Sequence, residues 1–317
     1  MRGAVVTELG ATPTVREVPD PTPGEGELLV EMDAAGLNPV DLAIAAGLFY
    51  LGHPPLPFVA GREGVGRVVS GGTLEPGTRL FTIAARSGTH AERFLAAESA
   101  SWVLGEEGDD AAAAALGIAG LAGWVAVEER GRLQRGERVL VIGATGTVGH
   151  VAVQAARLLG ADRVVAAGRD PKRLERVREL GADEIVVLGE DDPGEALAAA
   201  FPDGGPELVI DPLWGTPALA AMRNAPIGMR LVNLGQSAAA AAEIPSALVR
   251  GRRLEIIGHT VFEAPIDDLS TAHRTMLEHV AAGRLRVEIE TVPLDQQPDA
   301  WERQRAGGVG HKLVITP

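Results

Sequence analysis

The chain of 317 residues contains no cysteine, which excludes disulfides, thiol catalysis and every zinc site that uses cysteine ligands. Aromatic residues are scarce at 3%, and Tyr50 is the single tyrosine. Cations are also a minority, because 29 Lys+Arg against 43 Asp+Glu give a formal net charge of −14. Nucleic acids and anionic membranes attract proteins through local Lys and Arg, so neither is expected as a partner.

Long apolar runs are missing as well. No run reaches the roughly 18 residues of a membrane helix, and the first twenty residues lack the apolar segment of a signal peptide. We therefore expect a cytoplasmic protein. Hydrophobic residues make up 46% of the chain and charged residues 23%, as in folded globular proteins. At about 150 residues per domain, the length predicts two domains.

The two ends of the chain share a β-rich pattern. From Met1 to about Arg93, short apolar runs alternate with Gly/Pro turns, and Asp41 is predicted to N-cap a short helix that ends at Gly47. After Gly258 we expect a helix from about residue 270 to 282 and then β-rich sequence again. The predicted domains are residues 1–117 with 259–317, and residues 118–258 inserted between them.

The middle of the chain alternates short apolar strands with amphipathic helices. The strand candidates are residues 138–142, 163–167, 184–188, 208–211, 231–234 and 254–257. Short, continuously apolar strands with intervening helices are typical of parallel sheets that are covered on both faces. This region therefore predicts a doubly wound parallel sheet and an α/β fold class.

The glycine-rich run GATGTVG, residues 143–149, joins the first of these strands to its helix. Ala144 stands at the first glycine of the usual G-x-G-x-x-G pattern, while Gly146 and Gly149 occupy the second and third places. Gly146 would let the backbone approach a pyrophosphate, and Gly149 would let helix and strand pack closely. The alternative is a tight turn alone. The strand before it, the helix after it and the following strand favour a dinucleotide site.

The end of the second strand indicates which dinucleotide binds. An acidic residue there would bind the ribose 2′-hydroxyl of NAD, but this chain has Gly168 followed by Arg169. Asp170 is better explained as a helix N-cap before a proline. Arg169 can pair with a 2′-phosphate, with Lys172 adding positive charge; the alternative is a solvated helix face. We therefore predict NADPH.

Several blocks together resemble a known family. They are GLNPVDLAIAAG (36–47), PFVAGREGVGRVVS (57–70), GTHAERFLAAES (88–99), VLVIGATGTVGHVAVQAARLLGA (139–161) and the C-terminal GHKLVITP. The chain resembles the medium-chain dehydrogenase/reductase superfamily, and within it the zinc-free, quinone-oxidoreductase-like branch. The resemblance implies a GroES-like β-rich domain split by an inserted Rossmann-type domain, with the active site in the cleft between them.

The resemblance also bears on metal binding. Zinc-dependent members place two cysteines and a histidine around the catalytic metal, and the matching positions here are Asn38, Arg62 and Ile118. These residues cannot form a normal zinc site. Hydride transfer without a metal Lewis acid favours an acceptor that is already polarised, such as a quinone or a conjugated enone.

Three residues are expected on the catalytic side. Asn38 can hydrogen-bond the acceptor carbonyl or the cofactor, or can form an Asx turn before Pro39. Arg62 can line the cleft, or can pair with a carboxylate such as Glu63. Tyr50 can donate a proton, or can be a plain surface or packing residue, since the family usually places its aromatic residue one position earlier, at Phe49.

The resemblance adds residues to the cofactor side and places the nicotinamide near the ends of the later strands. The complete expected cofactor-binding set is Ala144, Thr145, Gly146, Thr147, Val148, Gly149, Gly168, Arg169, Lys172, Asn233, Gly235 and Lys312. On sequence alone, the last of these is also explained as an exposed strand lysine.

Taken together, these features predict an NADPH-dependent oxidoreductase that transfers hydride to a quinone or an α,β-unsaturated carbonyl without zinc. The alternatives are an enoyl-thioester reductase and a non-catalytic NADPH-binding redox sensor. The partner is a small-molecule substrate whose identity the sequence leaves open. A homodimer is expected through the edge strand at residues 254–257, since family members commonly pair there.

Overall fold

The computed structural model describes residues 1–83, 87–189 and 191–317, and the chain divides into two compact units. Unit 1 contains Met1–Ala119 and Ala264–Pro317, and unit 2 contains Gly120–Glu263. The domain limits given above from the sequence stay a prediction.

The strands follow one another in chain order as β1 (Arg2–Val6), β2 (Thr14–Glu17), β3 (Glu27–Gly36), β4 (Phe58–Val59), β5 (Gly64–Gly71), β6 (Arg79–Thr82), β7 (Arg93–Ala97), β8 (Ser101–Val103), β9 (Arg138–Ile142), β10 (Arg163–Gly168), β11 (Glu184–Val187), β12 (Leu208–Asp211), β13 (Arg230–Asn233), β14 (Glu255–Gly258), β15 (Ile289–Pro293) and β16 (Lys312–Thr316). The α-helices are α1 (Pro39–Ala45), α2 (Asp110–Ala115), α3 (Ile118–Val125), α4 (Thr147–Leu158), α5 (Pro171–Glu179), α6 (Gly194–Ala200), α7 (Gly215–Arg223), α8 (Ser246–Arg252), α9 (Ile266–Ala281) and α10 (Gln297–Ala306).

Unit 1 is the β-rich unit. Its larger sheet has the order β15-β16-β3-β5-β6-β8, with β7 paired to β3, and its smaller sheet has the order β2-β1-β4. The C-terminal strand β16 lies antiparallel to β3, so the last part of the chain completes a sheet that the first part begins. Leu28, Val30, Phe94, Trp301 and Leu313 are among the side chains of its core.

Unit 2 is a parallel sheet with the order β11-β10-β9-β12-β13-β14. The order reverses between β9 and β12, which is the switch point where doubly wound sheets bind ligands. Leu140, Val165 and Val209 in the central strands are completely buried, as expected when helices cover both faces of a sheet. The predicted α/β fold, a β-rich domain split by a doubly wound parallel sheet, is confirmed.

Three local expectations need correction. Helix α1 has Asn38 as its N-cap and Pro39 as its first residue, so Asp41 lies inside the first turn rather than at the cap. Helix α9 begins at Ile266, directly after Pro265, which is earlier than the predicted start. Helix α10 was not predicted, because its sequence QPDAWERQRA carries few apolar residues; Trp301 is its largest buried side chain.

Candidate functional site

The glycine turn of unit 2 shows different surroundings at its two key glycines. Gly146 is the exposed N-cap of α4, and a Cβ there would meet only the carbonyl oxygen of Gly143, at 3.9 Å. A Cβ on Gly149 would lie 2.5 Å from the Cα of Ala144. The surface above Gly146 is therefore open, while Gly149 lets α4 pack against the turn. An N-cap glycine has no side chain to bind the first-turn N–H groups of the helix, which suits an anion such as a pyrophosphate.

The other residues of the turn present backbone and hydroxyl groups. Ala144 is completely buried, and its N–H donates to the carbonyl oxygen of Ala167 at 2.9 Å. Thr145, Thr147 and Val148 are partly exposed. A ligand over this turn would meet these three residues, but not the methyl group of Ala144.

The end of β10 carries cationic rather than acidic side chains. Gly168 is buried, while Arg169 and Lys172 are exposed. The carboxylate of Asp170 accepts hydrogen bonds from the N–H groups of Lys172, at 2.9 Å, and Arg173, at 3.2 Å. The predicted N-cap role of Asp170 is therefore confirmed: its carboxylate binds the first-turn N–H groups of α5.

The ends of β12 and β13 are held by a network around Asp211. Its Oδ1 accepts hydrogen bonds from the N–H groups of Leu213 and Trp214, both at 2.9 Å. The side-chain amide of Asn233 donates to Asp211 Oδ2 at 3.3 Å and to the carbonyl oxygen of Gly235 at 2.8 Å. These bonds fix the loops at the carboxyl edge of the sheet, beside the strand that leads into the glycine turn.

His259 lies at the same edge and was not among the predicted site residues. It follows β14, and its N–H donates to the carbonyl oxygen of Asn233 at 3.0 Å. Its Nε2 is buried and has no hydrogen-bond partner among the described residues. Burial lowers the pKa of this imidazole to about 4, and the charge of Arg130 acts in the same direction. A histidine directly after an apolar strand candidate was the available signal.

Unit 1 holds a buried polar cluster that joins distant parts of the chain. Glu63 is completely buried, and Asn38 and Lys312 are 2% and 3% exposed. Glu63 Oε1 accepts hydrogen bonds from Asn38 Nδ2 at 2.6 Å and from Lys312 Nζ at 3.1 Å. Its Oε2 accepts a hydrogen bond from the N–H of Ile118. Gly36 leaves room for this carboxylate, because a Cβ there would run into it.

The side chains of two predicted site residues, Asn38 and Lys312, make their hydrogen bonds within this cluster. Asn38 Nδ2 also contacts the carbonyl oxygen of Gly36 at 3.4 Å, and Asn38 Oδ1 accepts a hydrogen bond from Lys312. Lys312 Nζ donates as well to the carbonyl oxygen of Leu37, at 3.2 Å. The lysine is therefore buried in unit 1, not exposed as its strand position alone suggested. The predicted contacts of Asn38 with an acceptor and of Lys312 with a cofactor stay predictions.

A cavity of about 590 Å³ opens beside this cluster, and residues of unit 1 form it. Arg62 and Asp41 are on its wall, together with the apolar side chains of Ile44, Pro57 and Phe58. Its volume is within the range of small-molecule sites, which is roughly 300–1,000 Å³. The structure thus brings Arg62 together with a buried carboxyl group that sequence analysis had assigned to helix capping.

Tyr50 lies outside this arrangement. Its side chain is 67% exposed, its ring packs on Phe49 with the ring centroids 4.7 Å apart, and it is not among the described residues that line the cavity. Its predicted part in proton transfer stays a prediction.

The described residues contain no group of three or more His, Asp or Glu side chains arranged to hold a metal ion. Within the same residues, no helix combines the length and apolarity that crossing a membrane requires. Three residues stand at positions that the sequence resemblance matches to zinc ligands. Asn38 is buried in the cluster, Arg62 is on the cavity wall, and the Ile118 N–H donates a hydrogen bond to Glu63.

Comparisons with known proteins agree with this architecture. A family model described as alcohol dehydrogenase GroES-like domain matches residues 24–135, and one described as zinc-binding dehydrogenase matches residues 147–278. Quinone oxidoreductase-like protein 2 of Rattus norvegicus is 28% identical over 263 residues, which are 81% of this chain and 74% of that protein. Quinone oxidoreductase of the same species is 27% identical over 326 residues, covering 99% and 98% of the two chains.

Among solved structures, Escherichia coli quinone oxidoreductase complexed with NADPH superposes with a TM-score of 0.90 at 20% identity, covering 100% of both chains. The fold is therefore that of a two-domain protein with a GroES-like β-rich domain and a Rossmann-like parallel sheet. The chain belongs to the medium-chain dehydrogenase/reductase superfamily and is quinone-oxidoreductase-like. The resemblance to this superfamily and to its quinone-oxidoreductase-like members is confirmed, while independence from zinc stays a prediction.

Proposed function

We propose that this protein is an NADPH-dependent oxidoreductase that transfers hydride to a quinone or an α,β-unsaturated carbonyl without zinc. The observation that carries the proposal is the glycine turn, where Gly146 leaves an open approach and Gly149 packs the helix. Two relatives named above are quinone oxidoreductases or quinone-oxidoreductase-like, and the E. coli enzyme of the same fold was solved with NADPH.

The residues of unit 2 fit the cofactor in charge and shape. The pyrophosphate would be held at the start of α4, above Gly146, by backbone N–H groups and the hydroxyls of Thr145 and Thr147. Arg169 and Lys172 would bind the 2′-phosphate that distinguishes NADPH from NADH. When bound, the reduced nicotinamide supplies the hydride; the chain supplies binding, orientation and electrostatics.

The acceptor would bind in the cavity of unit 1. Apolar side chains such as Ile44 and Phe58 can pack on a planar ring or an alkene, while the Arg62 guanidinium can stabilise negative charge that develops on the acceptor oxygen. In this arrangement, positioning and a fixed positive charge do the work that a metal ion does in zinc-dependent members. Asn38 would act by holding Glu63 and Lys312 in place.

We further propose a homodimer formed through β14. This strand is at the edge of the unit 2 sheet, and Ile256 on it is 41% exposed. An exposed apolar edge strand is a template for pairing with a second copy.

The test is oxidation of NADPH by the purified protein with 1,4-naphthoquinone, 2-cyclohexenone and crotonyl thioester as separate acceptors. With stereospecifically deuterated NADPH, the label should appear at the β-carbon of the reduced enone. A quinone product would lose the label to solvent and leave a kinetic isotope effect. A chelator should not change the rate. Turnover of the thioester alone would favour an enoyl-thioester reductase, and tight NADPH binding without oxidation by any acceptor would favour a redox sensor.

A further inference from the structure

Asp41 is a buried carboxyl group whose two oxygens have different surroundings. The side chain lies in the first turn of α1 and is 3% exposed. Its Oδ2 accepts a hydrogen bond from the N–H of Asn38 at 2.7 Å. Its Oδ1 is buried and has no hydrogen-bond partner in the part of the chain that the structure describes. An ionised carboxylate with an unpaired buried oxygen is costly, so the neutral acid is the form that suits this position.

Asp41 lies where the acceptor is proposed to bind. It is on the wall of the 590 Å³ cavity, along with Arg62. Ile44, one turn later on the same helix, contributes apolar surface to that cavity. The side chain is therefore within the site to which the acceptor is assigned above, and it is the single carboxyl group besides Glu17 among the described lining residues.

The electrostatic environment favours a carboxyl group that holds a proton near neutral pH. Burial raises the pKa of Asp41 to about 7, and the nearby negative charge of Glu63 adds to this effect. The Asn38 N–H and the positive charges of Lys312 and Arg62 act in the opposite direction and keep the pKa from rising further. A proton donor works best when its pKa is near the working pH.

We propose that Asp41 is the proton donor that completes reduction of the acceptor, an inference that rests on the proposed function. Addition of hydride to a quinone places two electrons and one hydrogen on it, and leaves a hydroquinone monoanion. The O–H bond of the Asp41 carboxyl group then breaks, and the proton forms a new O–H bond on the acceptor oxygen. With an enone, the enolate oxygen receives the proton. The Asp41 carboxylate regains a proton from water before the next turnover.

The decisive variant is Asp41→Asn, which has nearly the same shape and cannot donate this proton. Its carbonyl oxygen can still accept the hydrogen bond from the N–H of Asn38. Asp33→Asn is the matched control. Asp33 is another aspartate of unit 1 whose pKa burial raises, and it is not among the residues lining the cavity.

The measurements are kcat and KM for 1,4-naphthoquinone from pH 5 to 9, together with the NADPH Kd and Tm of each variant. In the wild-type protein, kcat should fall as the pH rises through about 7, because the carboxyl group loses its proton. Asp41→Asn should lower kcat at pH 7 at least tenfold, within the usual range of general acid catalysis, and should abolish this fall. The NADPH Kd should be unchanged, and Asp33→Asn should behave as the wild type.

A readout that does not involve activity follows from proton linkage. Since the folded pKa of Asp41 is raised above the unfolded value, stability is lost as pH rises between those values. The Tm of Asp41→Asn relative to wild type should therefore increase from pH 5 to pH 8, and a constant difference would contradict the assignment.

The outcomes separate the two proposals. If Asp41→Asn does not fold, the pH profile of the wild-type kcat still tests the role of Asp41, because a kcat that is constant between pH 6 and 9 rejects a donor with this pKa. If the wild type oxidises no NADPH, the proposed function fails. If it turns over and Asp41→Asn keeps its kcat and pH profile, the role of Asp41 alone fails.

Discussion

Replacing each of the two glycines of the turn, Gly146 and Gly149, by alanine should affect a different property, NADPH binding in one case and stability in the other. Gly146 has φ −98° and ψ 168°, an extended conformation that any residue adopts, and an added Cβ meets only the Gly143 carbonyl oxygen at 3.9 Å. The added methyl group therefore meets no steric conflict, but alanine is a poorer N-cap than glycine, so Gly146→Ala should lower the free energy of unfolding by no more than about 1 kcal/mol. The methyl group would stand where a pyrophosphate must approach. Losing one charge-assisted hydrogen bond costs about 1.5–3 kcal/mol, so the NADPH Kd should rise about ten- to hundredfold.

Gly149→Ala should lower the free energy of unfolding. The added Cβ would lie 2.5 Å from the Ala144 Cα, 2.7 Å from the Gly143 carbonyl oxygen and 2.8 Å from the Ala144 carbonyl carbon. These are backbone atoms, which cannot rotate away as a flexible side chain can. Overpacking costs about 1–3 kcal/mol, and contacts this close point to the upper end of that range. Alanine recovers about 1 kcal/mol of helix propensity over glycine, so we expect a net loss of about 2 kcal/mol.

The assay has two arms. Urea unfolding of each variant without cofactor measures the stability difference, and fluorescence titration with NADPH measures the affinity. We expect a small loss of stability with weak NADPH binding for Gly146→Ala, and a larger loss of stability for Gly149→Ala. Wild-type NADPH affinity in Gly146→Ala would refute the assignment of this turn to the pyrophosphate. Equal stability of Gly149→Ala and wild type would refute the packing argument.

Three further predictions concern specificity, assembly and pH. Arg169→Ala should weaken NADPH binding about ten- to hundredfold and leave NADH binding nearly unchanged, with Arg176→Ala as the helix-face control; unchanged NADPH affinity would contradict this. The wild type should sediment as a dimer at micromolar concentration and Ile256→Lys as a monomer, whereas a monomeric wild type would exclude pairing through β14. Burial lowers the pKa of His273 to about 4 in the folded protein, from its ordinary value of 6.5. As the pH falls below 6.5, the histidine is protonated in the unfolded chain before it is protonated in the folded protein, so folding loses stability. The urea stability advantage of wild type over His273→Gln should therefore shrink by about 2 kcal/mol from pH 7.5 to pH 5, and a constant gap would contradict the assignment.

Features that depend on neighbours in sequence were predictable. The strand, glycine turn and helix at residues 138–158 have a short apolar run, a glycine pattern and a 3.6-residue period, each of which is a local signal. The N-cap of α1 was misassigned because both Asn38 and Asp41 are good capping residues. Pro39 was the available signal, since proline is favoured at the first helical position and places the cap one residue earlier.

Features that depend on distant residues were not predictable. The ion pair of Glu63 with Lys312 joins positions 249 residues apart, so neither sequence neighbourhood reveals that the lysine is buried. The same holds for Asp41. Its burial depends on parts of the chain that are distant in sequence, such as α10, which packs against α1. Without burial, an aspartate near a helix start is explained by capping alone.

The buried cluster also changes how the effect of replacing Asn38 should be interpreted. Its amide bridges Glu63 and Lys312, and an acceptor oxygen that bound Asn38 Nδ2 would have to displace Glu63 or the Gly36 carbonyl oxygen. Removing one partner of a buried charged network leaves the others unsatisfied and is strongly destabilising. Lower activity in Asn38→Ala would therefore reflect displacement of Glu63 and Lys312 as readily as loss of a substrate contact. Among the described residues that line the cavity, Asp41 has a buried carboxyl oxygen, Oδ1, with no hydrogen-bond partner to displace, and for this reason we assign proton donation to Asp41.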